Sequence, residues 1–161
     1  MKKALVAYFS ATGITKDLAE KINNVVKGDL FEIVPEEPYT EQDLDWTDDQ
    51  SRSSIEMKDK PETRPEIAEK VENMKEYDII YLGFPIWWYT APKIINTFLE
   101  SYDLSGKTII PYATSGSSQY GDTNEDLKAS LKPNTKLLEG KRFSTIASLD
   151  DIQEWIDSLD I

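Results

Sequence analysis

Three short segments of the 161-residue chain carry residue types suited to holding a ligand. The first, Ser10-Ala11-Thr12-Gly13-Ile14-Thr15, places three hydroxyls around one glycine, between an apolar run and an amphipathic stretch. That position is a helix N-terminus, where unpaired N–H groups and partial positive charge receive phosphate well. Gly13 permits the backbone conformation that close approach requires. No Lys or Arg lies among these six residues, so dipoles and hydrogen bonds alone would hold a phosphomonoester. This suits a nucleotide monophosphate better than a triphosphate with Mg²⁺. Taken alone, the loop fits an ordinary turn with a Thr N-cap equally well.

The second segment is Pro85-Ile86-Trp87-Trp88-Tyr89-Thr90-Ala91-Pro92. Three consecutive aromatics between two prolines cannot all face a core, because neighbouring side chains diverge. At least one is expected at the surface, where it can cover a large planar ligand. One Trp in the core and another at a dimer contact is the alternative. The third segment, Thr114-Ser115-Gly116-Ser117-Ser118-Gln119-Tyr120-Gly121-Asp122, is small and polar with one aromatic, Tyr120. By itself it reads as a plain loop.

The elements that position these segments follow from the apolar pattern. Lys3 to Phe9, Leu30 to Val34, Ile79 to Phe84, Thr108 to Ala113 and Arg142 to Ala147 read as strands, with Glu32 suggesting an edge position for the second. Amphipathic stretches lie between them: Leu18 to Val26, a helix opened by Pro65 with Ile67, Val71 and Met74, one opened by Pro92, one around Asn124–Leu131, and a terminal helix with Ile152, Trp155, Ile156 and Leu159. Apolar strands separated by helical crossovers imply an α/β fold, a parallel sheet covered on both faces. In the simplest layout, a doubly wound three-layer sandwich, ligands bind beyond the carboxyl ends of the strands. The three segments above are the loops after strands one, three and four. The whole chain, 1–161, reads as one domain with an acidic, irregular insertion at about 36–66.

Composition removes several classes of function. There is no cysteine and no histidine, hence no thiol nucleophile, no Fe–S cluster, no serine–histidine triad and no His-ligated zinc. No metal ligands and no catalytic side chain stand out. The formal charge of −12 argues against nucleic acid and anionic membrane as partners, since phosphate contacts need clustered Lys and Arg. With no apolar run long enough to span a bilayer, a cytoplasmic protein is expected. The charge is concentrated: residues 36–66 hold 11 acids and 4 bases, and residues 150–161 hold 5 acids and no base.

Together the three loops resemble those of the flavodoxin family, and the resemblance runs from Lys3 to about Ile161. Ser10-x-Thr12-Gly13-x-Thr15 is similar to the family's FMN phosphate loop, and Tyr77-Asp-x-Ile-x-Leu-Gly-x-Pro-Ile-Trp-Trp88 followed by Ala91-Pro92 is similar to the branch with a tryptophan pair. Phe98-Leu99, Asp103-Leu-Ser-Gly-Lys107 and Thr114-Ser-Gly116 match that branch too. The resemblance implies a five-stranded parallel sheet in the order 2-1-3-4-5 with helices on both faces, binding one FMN non-covalently. By the same resemblance Ser10, Ala11, Thr12, Gly13, Ile14 and Thr15 hold the phosphate. Pro85, Ile86, Trp87, Trp88 and Tyr89, with Thr114, Ser115, Gly116, Ser117 and Tyr120, bracket the ring, Trp88 foremost and Tyr120 second as the stacking side chain. The implied role is a redox protein that transfers electrons through FMN to a redox partner protein or a small electron acceptor, as a monomer or weak homodimer. A two-electron FMN-dependent oxidoreductase and a flavin-free binding module on the same fold are the alternatives.

One departure bears on that role. In one-electron members of the family a backbone carbonyl turns toward the flavin, typically at a glycine in the loop after strand three. Here no glycine lies between Pro85 and Pro92, and Tyr89 stands where relatives often have one. A positive φ at Tyr89 would cost roughly 1–2 kcal/mol. The 36–66 segment leaves strand two on the same rim as the flavin loops, so it is read as a docking surface for a basic partner, a lid, or a solvated loop.

Overall fold

The computed structural model describes residues 3–60, 62–115, 120–121, 123–144 and 147–159. Its elements are β1 (Ala4–Tyr8), α1 (Ile14–Val26), β2 (Asp29–Glu32), α2 (Arg52–Ser54), β3 (Ile79–Pro85), α3 (Lys93–Glu100), β4 (Thr108–Thr114), α4 (Thr123–Lys128), β5 (Lys136–Leu137), β6 (Lys141–Phe143) and α5 (Leu149–Ser158). All strand pairs are parallel, in the order β2-β1-β3-β4-β5, with β6 also paired to β4. The doubly wound sheet expected from the sequence is therefore present, and β2 forms an edge.

Alternation along the central strands divides the core between the two faces. Leu5, Ala7, Ile80, Leu82 and Phe84 point to one side, where Ile94, Ile95 and Phe98 of α3 and Leu127 of α4 cover them. Val6, Tyr8, Tyr81, Ile110 and Tyr112 point to the other, under Leu18 and Ile22 of α1 and Ile152 and Trp155 of α5. Covering on both faces is why these strands read as unbroken apolar runs. Gly83 and Tyr112 are register partners on adjacent strands, and a Cβ at Gly83 would overlap the Tyr112 ring. The glycine makes room for a fully buried aromatic in the middle of the sheet.

Two expectations are corrected. The fifth strand is in two pieces. Ile109 pairs with Leu137 and Tyr112 with Lys141, so Leu138, Glu139 and Gly140 stand against Ile110 and Pro111. Pro111 has no N–H to offer a ladder, and the outer strand takes up one extra residue beside it. The helix expected from Pro65 is also absent. Ile67 instead bridges Pro35 in antiparallel fashion, Ala68 N–H donates to Val34 O, and only a single turn at Met74–Glu76 is helical. Pairing to the chain leaving β2 has displaced a weak amphipathic pattern. No helix among the described residues is long and apolar enough to cross a membrane.

Gly83→Ala should lower stability by about 1–3 kcal/mol through overpacking against Tyr112. Chemical denaturation would show it as a lower midpoint at unchanged slope.

Candidate functional site

β1, β3 and β4 end at the same edge, and direct hydrogen bonds tie their loops together. The buried hydroxyls of Thr15 and Thr114 lie 2.8 Å apart, joining the start of α1 to the end of β4. Ile86 N–H donates to Thr114 O (3.0 Å), and Phe9 N–H to Gly83 O (2.9 Å). The loop after β1 makes its own turn: Gly13 N–H donates to Ser10 Oγ (3.0 Å), and Gly13 sits at the N-cap of the 13-residue α1 with φ 95°. No side chain caps this helix, so the first N–H groups of its opening turn lack an intrahelical acceptor. No atom lies within 4 Å of where a Gly13 Cβ would stand. Thr12 and Ile14 are exposed, Ser10 and Ala11 half-buried. An open cradle of N–H groups beside an exposed Thr hydroxyl has the donor chemistry of an anion site. Thr15 contributes differently from Thr12, since its hydroxyl is committed to Thr114.

The loop after β3 closes on itself. Trp87 N–H donates to Thr90 O (2.9 Å) and Thr90 N–H to Trp87 O (3.1 Å), so Trp88 and Tyr89 are the two central residues of a hairpin turn. Both take left-handed backbone, at φ 47° and 63°. Paired hydrogen bonds with two positive φ angles define a type I′ turn, which normally carries Asn-Gly. Two bulky residues there cost about 1–2 kcal/mol each. The three aromatics diverge as expected. Trp87 is half-buried, edge-on to Phe9 and Tyr39. Trp88 is half-buried, and Tyr89 is 63% exposed. The turn is pinned at its far end, where Thr90 Oγ1 donates to Asp126 Oδ2 of α4 (2.5 Å).

Beyond β4, Ser115 N–H donates to Phe143 O (3.3 Å), and an Arg142 guanidinium N–H reaches Ser115 O (3.3 Å). Arg142 thus brings a cation from β6 to this loop, which the loop sequences alone did not reveal. Gly116 and Ser117 lie outside the described residues. The Tyr120 hydroxyl donates to Asn124 Oδ1 (2.7 Å) beside Gly140, and Gly121 packs directly against Tyr89. Tyr120 therefore braces this loop on α4, and burial pushes its pKa up.

The 36–66 segment is more ordered than its composition suggests. α2 runs into a wide helical turn at Ile55–Asp59, and Ser51, Ser53, Ser54, Glu56 and Met57 are buried. Arg52 lies 3.9 Å over the Tyr39 ring and pairs with Glu56 (3.0 Å), while Tyr39 donates to Glu56 Oε1 (2.5 Å). Tyr39 also stacks edge-on against Phe9 and Trp87. This brace behind the aromatic loop was not foreseen. Its signals were the isolated Tyr39 and the i,i+4 spacing of Arg52 and Glu56. Burial first, then the bond to Glu56, raises the Tyr39 pKa well above the ordinary tyrosine value. Between this segment and the turn lies a cavity of about 560 Å³.

Residues 3–159 match the Flavodoxin family profile. Two crystal structures of candidate flavoproteins share 46% identity with the chain. For that from Bacteroides eggerthii the match covers 98% of this chain and 97% of the other, with a TM-score of 0.89. For that from Bacteroides uniformis the figures are 98%, 99% and 0.91. A flavoprotein from Lactobacillus acidophilus, crystallised in complex with FMN, shares the fold at 23% identity and a TM-score of 0.71, over 88% of this chain and 93% of that one. No curated protein gives a significant match.

Thr15→Val should leave the buried Thr114 hydroxyl unpaired and cost about 1–3 kcal/mol. The double Thr15→Val, Thr114→Val variant should lose less than the two single losses combined, as a double-mutant cycle by denaturation would show. Tyr112, fully buried, and the half-buried Tyr39 and Tyr120, whose pKa values burial raises, also predict alkaline sensitivity. Their stabilisation is complete below about pH 10, the ordinary tyrosine value, and is lost as pH rises past it, because the unfolded chain releases these protons first. Thermal midpoints measured from about pH 8 to about pH 11 should fall only at the alkaline end.

Proposed function

Since the chain belongs to the flavodoxin family, we propose that it binds one FMN non-covalently at the rim formed by its first, third and fourth strands and transfers electrons through it. The observation that carries this reading is the open cradle at Gly13 on the same rim as the turn that carries the half-buried Trp88 and the exposed Tyr89. Support comes from the Lactobacillus acidophilus flavoprotein of the same fold, crystallised with FMN. Bound FMN supplies reversible electron exchange, which no side chain of this protein can.

The residues then divide the work. The first N–H groups of α1, with Thr12, face the phosphate, and Ser10 fixes the turn by accepting from Gly13. Trp88 and Tyr89 present aromatic surface to the ring, and Trp87 holds their turn against Phe9 and Tyr39. Arg142, carried by β6, adds a positive charge beside the loop after β4. These residues bind, orient and tune the group; none of them is assigned a proton-transfer role. The partner is a redox protein or a small electron acceptor.

The type I′ turn favours two-electron exchange. Reversing the peptide between its central residues converts I′ to II′ and asks Trp88 for a conformation dominated by glycine. A carbonyl that turns with redox state is therefore disfavoured at this position.

Protein incubated with FMN and freed of excess should retain one flavin per chain by absorbance. Stepwise anaerobic reduction should bleach it directly to the fully reduced spectrum. A one-electron-reduced species accumulating midway would overturn the two-electron reading, and protein left colourless would overturn flavin binding.

A further inference from the structure

The cavity beside the Trp87–Thr90 turn has a second wall that the flavin reading does not use. Leu44, Trp46 and Ser53, from the segment after β2, face Ile86, Trp88 and Tyr89 across its 560 Å³. That volume is within the usual range for small-molecule sites, roughly 300–1,000 Å³.

Two of these residues are unexplained by folding. Trp46 is 72% exposed, leaving an indole at the mouth of the cavity in water. Ser53 is only 2% exposed, and its hydroxyl oxygen has no hydrogen-bond partner among the described residues. A buried hydroxyl without a partner costs stability, and native structures rarely keep one without a reason. Neither residue hangs on a loose loop. Ser53 N–H donates to Asp43 O (3.0 Å), its neighbour Arg52 is clamped on Tyr39 and Glu56, and Leu44 N–H closes a turn on Thr40 O (3.1 Å).

We propose that this cavity binds a small, planar, uncharged aromatic molecule bearing a carbonyl or hydroxyl group. Its ring lies between the Trp46 indole and the side of the Trp88–Tyr89 turn that faces the 36–66 segment, and its polar group pairs with the Ser53 hydroxyl, which can donate or accept. Charge selects the class. Among the described residues no Lys or Arg lines the cavity, and the 36–66 segment carries 11 acids against 4 bases, which disfavours phosphates and carboxylates. The site is also separate from the loops assigned to FMN phosphate and to the end of β4: none of Ser10 to Thr15, nor Thr114 or Ser115, lines it. The loop after β4 meets the turn elsewhere, where Gly121 packs against Tyr89.

Calorimetric titration of the full-length, oxidised, FMN-treated protein with 1,4-naphthoquinone tests the proposal. The chain has no cysteine, so thiol addition to the quinone does not interfere. Saturable one-to-one binding is expected. Trp46→Ala should weaken it about tenfold by removing one stacking face. Ser53→Ala should weaken it about fivefold while leaving the thermal midpoint unchanged or higher, because it deletes an unpaired buried hydroxyl. A merely structural serine would show no loss of binding. The proposal is overturned if the probe does not bind, if both variants bind as wild type does, or if flavin-free protein binds it and bound FMN abolishes that binding, the cavity then being the seat of the flavin's own ring. Flavin content is read by absorbance in the same samples. Protein that holds no flavin but binds the probe with these dependences upholds this site and removes the flavin reading.

Discussion

The parallel pairing of β1, β3 and β4 is the constraint on which the rim depends. Strands that run the same way deliver every following loop to one edge, and three adjacent strands deliver them side by side. Close register makes the edge usable. Tyr8 lies opposite Gly83 and Pro85 opposite Thr114, so the loops begin at nearly the same level. The Thr15–Thr114 hydroxyl pair then locks the helix start after β1 to the end of β4 across the sheet. Gly83, by admitting the Tyr112 ring, lets the two middle strands keep that register with a full core beneath them.

Strain is concentrated on this edge. Trp88 and Tyr89 occupy backbone that glycine and asparagine normally take, and they hold it because the surroundings leave no alternative. Trp87 is gripped by Phe9 and Tyr39, Thr90 by Asp126, and Tyr89 rests on Gly121. The return for the strain is orientation: the half-buried Trp88 and the exposed Tyr89 stand at the centre of a turn whose flanking residues turn inward. The same strain disfavours reversal of the peptide between them.

The sheet was legible because its strands are covered on both faces and read as apolar runs bounded by Gly and Pro. The loops after β1 and β3 stood out because they carry residue types, hydroxyls around a glycine and aromatics between prolines, that packing alone does not demand, whereas the loop after β4 read by itself as a plain loop. What stayed hidden was set by contacts distant in sequence. The Pro65 helix gave way to pairing between Pro35 and Ile67. The break between β5 and β6 follows from Pro111 on the neighbouring strand. The acidic 36–66 segment looked solvated because its charges dominate its composition. Its structure hangs on a few residues: Tyr39 packs against Trp87 of the aromatic loop, Arg52 and Glu56 hold Tyr39, and most of the remaining acids face water.

The central claim is that Ser10 to Thr15 is a preformed phosphate cradle and that the aromatic turn receives the ring attached to it. Titrating flavin-free protein with FMN and, separately, with riboflavin, which lacks the phosphate, tests both halves through quenching of flavin fluorescence. The account predicts one-to-one quenching by FMN and binding of riboflavin weaker by about a hundredfold, the loss expected when charge-assisted hydrogen bonds to N–H groups are removed. Equal affinity for the two flavins, or no quenching by either, would contradict it.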